Sequence, residues 1–66
     1  MELRLEYAVD GYRLEEIIDT TYDDITLEIL SNITQVYIFD DDRSLYGNEA
    51  MIFLRRLIND NVLLLS

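Results

Sequence analysis

The first nine residues alternate without a break, and an Asp-Gly pair follows them. Leu3, Leu5, Tyr7 and Val9 point one way, and Glu2, Arg4, Glu6 and Ala8 point the other. A strand places successive side chains on opposite faces, so this is the pattern of a half-buried strand. Asp10-Gly11 is the pair favoured in two-residue hairpins, because both positions tolerate a left-handed backbone. An antiparallel β-sheet is therefore the scaffold around which the rest must fit.

Chain length limits what can be built on it. Sixty-six residues make one domain, residues 1–66. A domain this small buries only about 60% of the surface it exposes when unfolded. It commonly needs a staple or a partner chain. Cysteine and histidine are absent, which removes disulfides, thiolate sites and zinc, so oligomerisation is the remaining staple. No apolar run approaches the roughly 20 residues that span a bilayer, and no basic, signal-like start is present. The expected location is the cytoplasm.

The rest of the chain reads as follows. Residues 12 to 19 stay open between helix, from the stripe Leu14, Ile17 and Ile18, and strand, which the preceding turn favours. Thr20 to Asp23 is a connection. Asp24 to Leu30 alternates Ile25, Leu27 and Ile29 against Asp24, Thr26 and Glu28, which predicts a strand. Ser31-Asn32 can turn the chain. Ile33 to Phe39 is rich in β-branched and aromatic residues and predicts another strand. Asp40 to Ser44 is a charged loop. Asn48 is a candidate N-cap, with Glu49 in the first turn of a helix that runs to about Asp60. Ala50, Met51, Phe53, Leu54, Leu57 and Ile58 cover an arc of roughly 160° on it. Val62 to Leu65 is an apolar tail that can form a final strand. The fold class is α+β: a small antiparallel β-sheet with one long C-terminal α-helix. Tyr37, Ile52, Leu63 and Leu65 exceed what one helix can cover, and they are the expected contacts of a homodimer.

Charge narrows the function. Fourteen Asp and Glu face five basic residues, all Arg, for a net charge of −9. Without His, Cys or Lys the usual general bases and activated nucleophiles are missing, so the chain is read as a binding protein, not an enzyme. It repels nucleic acid and anionic membranes, and its natural partners are basic surfaces. Asp40-Asp41-Asp42 invites a calcium reading. As an EF-hand loop starting at Asp40, however, it puts Leu45 where Gly is required and Met51 where the bidentate Glu belongs. A solvated turn is the simpler account, and neither metal nor cofactor is expected. Glu15-Glu16 and Asp23-Asp24 offer carboxylate pairs, but a glycosidase-type cleft has little room in so short a chain.

Strand carboxylates can instead imitate phosphates. Alternate positions on a strand lie about 6.6 Å apart, near the phosphate spacing of a DNA strand. Glu2 and Glu6 are expected at this spacing on one strand, and Asp24 with Glu28 are expected to extend the pattern. The alternative is that these charges only confer solubility.

Leu45-Tyr46-Gly47-Asn48-Glu49-Ala50, followed by an aliphatic helix with arginines and by Val62-Leu63, resembles the C-terminal part of the small, acidic, dimeric uracil-DNA glycosylase inhibitors of certain bacteriophages. The resemblance covers roughly the last third of the chain. It implies a homodimer that blocks the DNA-binding groove of bacterial uracil-DNA glycosylase inside the host cell, with Tyr46 at the enzyme contact. The family carries a Phe-Glu pair just before its Leu-Tyr motif, whose Phe fills an apolar pocket of the enzyme. Here those places hold Asp42 and Arg43, and the nearest aromatic is Phe39, which would take that role by a different loop path. The expected partner surface is Phe39, Asp40, Asp41, Asp42 and Tyr46 with Glu2, Glu6, Asp24 and Glu28. Other targets in view are a nuclease, a restriction enzyme or a CRISPR effector. A structural or regulatory homodimer without inhibitory function is the reading from another class.

Overall fold

A computed structural model describes all 66 residues. The opening alternation forms strand β1 (Glu2–Val9). Asp10 and Gly11 both take positive φ, 52° and 80°, as a type I′ hairpin requires. The turn sets the partner of every residue in β2 (Tyr12–Asp19), from Val9 opposite Tyr12 to Glu2 opposite Asp19. Residues 12 to 19 are thus strand. Of their three aliphatic side chains only Ile18 reaches the core, opposite Leu3, while Ile17 opposite Arg4 is 60% exposed.

The expected strand over Asp24–Leu30 is not formed as such. Only Asp24–Ile25 is extended (β3), and Leu27–Ser31 is a short helix, α1. Thr26 decides this. Its backbone is extended, and its hydroxyl oxygen accepts the Ile29 N–H at 3.2 Å, the bond of a helix N-cap. Asn32 closes the other end, its side-chain amide donating to the Glu28 carbonyl at 2.8 Å. The helical turn directs the consecutive Ile29 and Leu30 toward the core and leaves Leu27 62% exposed. Alternation alone would have placed Leu27 and Ile29 together on the apolar side.

Strand β4 (Ile33–Ile38) pairs antiparallel with β1, Leu3 facing Ile38 and Leu5 facing Val36. The register shifts between Glu6 and Tyr7, so Thr34 is an extra residue, and its hydroxyl donates to the Glu6 carbonyl at 3.0 Å. This bulge changes the strand's phase. Ile33 and Val36 are an odd number of residues apart, yet both are buried.

Part of the expected charged loop is also strand. Asp40 to Asp42 is a tight turn, with Asp42 at φ 47°, and Arg43–Tyr46 forms β5 on the far side of β4. The sheet order is β2-β1-β4-β5. Helix α2 (Gly47–Asn59) follows at once, with Gly47 at φ 54° making the corner. It begins two residues before the expected start, and Asn48 is not its cap: Tyr46 holds that position and offers no side-chain bond. At 13 residues it is neither very long nor the last element. Asn61, left-handed at φ 59°, ends it and turns the chain back. Leu64–Leu65 (β6) then pairs parallel with β3, and the Ser66 N–H reaches the Ile25 carbonyl at 2.8 Å.

Eleven buried side chains form one cluster between the sheet and α2, with Ala50 and Leu54 fully enclosed. Leu63 belongs to it at 1% exposure. This corrects the expectation that Leu63 lies in a dimer interface: the turn after α2 drives it into the monomer's own core. Every buried side-chain nitrogen and oxygen has a hydrogen-bond partner. No helix is long and apolar enough to cross a membrane.

Candidate functional site

Helix α2 covers one face of the sheet through the side of Val36 and Ile38; the other face carries no helix. Strand alternation fixes what that open face displays. It carries Glu2, Arg4 and Glu6 from β1, Arg13, Glu15 and Ile17 from β2, Gln35 and Tyr37 from β4, and Ser44 and Tyr46 from β5.

Its centre is aromatic. The Tyr37 and Phe39 rings meet edge to face with centroids 4.9 Å apart at 83°. The Arg4 guanidinium lies 5.0 Å from the centre of the Tyr37 ring, a cation–π distance. Arg4 is held there by Glu15, with Nε 3.1 Å from Oε1. The Tyr37 hydroxyl donates to an Asp42 carboxylate oxygen. That bond favours the neutral phenol and is the first cause of the raised Tyr37 pKa, with desolvation next. Gln35 and Ser44 approach at 3.4 Å across the neighbouring strands, and Tyr46, opposite Gln35, is 63% exposed.

One end of this face is strongly acidic, because four strand termini converge there. Glu2 faces Asp19, the Phe39 N–H donates to the Glu2 carbonyl at 3.3 Å, and the Asp19 N–H donates to Asp23 at 2.8 Å. Together with the Asp40–Asp42 turn this gathers Glu2, Asp19, Asp23, Asp40, Asp41 and Asp42 around one edge. The amino terminus, 3.4 Å from Asp19, is the cation paired there. Asp19 is held below the ordinary aspartate value, first by the Thr21 backbone N–H at 2.9 Å and then, against some desolvation, by the Thr21 side chain and the amino terminus.

The fold brings together Phe39, Asp40, Asp41, Asp42 and Glu2, and sets Tyr46 and Glu6 farther along the same face. Two parts of the expected surface fail. Glu2 and Glu6 are two strand steps apart, about 13 Å, with Arg4 between them. Asp24 and Glu28 do not extend their row: Asp24 lies in β3 of the small second sheet. Glu28 lies on α1, where its charge acts on Tyr7, on the covered side opposite Leu14. The dimer set also divides. Tyr37 is on the open face and Ile52 on the α2 side, so no single interface holds both. Asp19, Glu15 and Arg4 are the members that reading the sequence missed. The hairpin turn could have found them, because it alone dictates Glu2 opposite Asp19 and Glu6 opposite Glu15. His, Cys, Asp and Glu nowhere converge in a group of three that could hold a metal ion.

No family model, curated protein or solved structure matches the chain.

Proposed function

We propose that the chain is an acidic DNA mimic that inhibits a bacterial DNA-processing enzyme by occupying its DNA groove, with uracil-DNA glycosylase the leading target. The observation that carries this reading is the six-carboxylate edge adjoining an uncovered sheet face with Tyr37, Phe39 and Tyr46 upon it. Carboxylates there meet the Arg and Lys that otherwise hold phosphates and speed association, while the aromatics supply the desolvated centre that keeps the complex together. The choice of target rests on the resemblance of Leu45–Ala50, in which Tyr46 ends β5 and Gly47 opens α2. Occupancy, not turnover, is the mode of action. A homodimer is part of the proposal, and its contact is narrowed to Leu64 and Leu65 of β6, which are 66% and 43% exposed.

The test adds the protein in molar excess to bacterial uracil-DNA glycosylase and a uracil-containing oligonucleotide. Cleavage should stop, and preincubation with DNA should slow the inhibition. Tyr46→Ala should speed dissociation by about 30-fold, the effect of losing roughly 2 kcal/mol at an interface centre. Asp41→Asn should lower the association rate and its salt dependence. Complete cleavage in the presence of excess protein eliminates this target.

A further inference from the structure

The arginines of α2 and β5 are not used by the acidic face. Arg43 and Leu45 from β5, and Glu49, Ile52, Phe53 and Arg56 from α2, line a groove with a cavity of about 200 Å³. The apolar floor is Leu45, Ile52 and Phe53, with Ile52 55% exposed. Arg43 and Arg56 stand on its two walls. Neither forms an ion pair, although the chain has 14 carboxylates; its two salt bridges are Met1–Asp19 and Arg4–Glu15. Beside the groove runs β5, an end strand with β4 on one side only. An end strand offers its unpaired backbone groups to an added strand.

We infer that this groove docks an extended acidic peptide, which adds to β5 as a further strand. Side chains on one face of a strand recur every second residue. A peptide residue opposite Leu45 therefore points into the cavity, and the residue two positions along lies opposite Arg43. The segment required has an aliphatic residue with a carboxylate two positions away on the Arg43 side, and Arg56 receives a second carboxylate from the helix wall. Guanidinium groups suit this task because they bind carboxylates through paired N–H bonds.

Two guanidiniums without ion pairs, against the single carboxylate of Glu49, favour an acidic occupant. The chain's own acidic run cannot serve as the added strand, since Asp40–Asp42 is a tight turn with Asp42 left-handed. The net charge of −9 opposes an acidic ligand at long range, but at physiological salt charges are screened beyond about 8 Å. The groove lies on the helix side of the sheet, so this inference stands apart from the proposed enzyme contact.

The test titrates the capped peptide Glu-Thr-Val-Thr-Glu into isotopically labelled protein at physiological salt and follows the amide resonances. The expected result is saturable shifts confined to Arg43–Tyr46 and the α2 residues of the groove. Affinity should fall at least tenfold in Arg56→Gln and in Arg43→Gln. The same loss is expected for a peptide with Gln in place of both Glu residues, and for one N-methylated along its pairing edge. Both arginines are exposed, so the variants should keep the parent's circular dichroism. Inhibition of the glycosylase should be unchanged in Arg56→Gln, which separates the two proposals. Equal binding of the Gln peptide, unchanged affinity in both variants, absence of saturable shifts, or a second copy seated on β5 overturns the inference.

Discussion

Thr26 carries a sharp test of the fold. Its hydroxyl is the only side-chain group capping the start of α1, and the five-residue helix is far too short to persist by itself. Thr26→Val keeps the side-chain shape and removes the acceptor for the Ile29 N–H, held at 3.2 Å. Loss of an N-cap costs about 1 kcal/mol. The effect should be global, because Leu30 at the end of the helix is 5% exposed and cannot leave without opening the core. A domain of this length has a total stability of roughly 3–10 kcal/mol, so the variant still folds. Its melting temperature should fall by about 4–8 °C. Thr26→Ser retains the oxygen and should melt close to the parent. The measurement is thermal unfolding by circular dichroism, with hydrogen exchange at the Ile29 amide as a local readout. Val and Ser variants that melt together, or a Val variant that melts with the parent, would refute the claim that this hydroxyl holds the segment helical.

Other expectations follow from single residues. Asp19 is more acidic in the folded chain than in the unfolded one, so its contribution is present above the ordinary aspartate value of 3.8 and is lost as pH falls through the lowered folded value. In urea unfolding at stepped acidic pH, Asp19→Asn should therefore lose less stability on acidification than the parent, and equal slopes would contradict this. Gly47→Ala should cost roughly 1–2 kcal/mol, because a Cβ there meets nothing within 4 Å and only the left-handed φ of 54° opposes it. An unchanged urea midpoint would place the cost elsewhere. The proposed dimer predicts a melting temperature that rises with protein concentration and a loss of that rise in Leu65→Asp. Concentration-independent melting of the parent would exclude it.

What the sequence revealed depended on how far apart the determining residues stand. Strand β1 and its Asp10-Gly11 turn were legible, whereas residues 12 to 19 stayed open because Leu14, Ile17 and Ile18 fit a helical stripe as well; the turn's register, unbroken for eight pairs, decides for strand. The α2 stripe was legible because it repeats over several turns. Asp24–Leu30 was misread because a short alternation fits either period, and one hydroxyl three residues from an amide tips it. The bulge at Thr34 left no local mark, since its effect appears only when β4 is laid against β1. β5 was hidden by its length of four residues and by Arg43 at its head. The acidic edge is assembled from segments as distant as Glu2 and Asp42, so composition announced the charge without its location. Leu63 looked surplus because its place in the core exists only after Asn61 reverses the chain.

That last placement bears on how the molecule comes into being. Leu63 packs at 1% exposure, and Leu64–Leu65 tie down Asp24–Ile25 across about 40 intervening residues, the largest part of the chain. The β1–β2 hairpin can form as soon as it is synthesised, but the eleven-residue core is complete only once Leu63 is in place. Completion of the core therefore waits for the segment that follows α2, and a nascent chain stalled at the end of α2 would lack Leu63 and leave Ile25 without its β6 partner, a partly packed state open to chaperones and proteases.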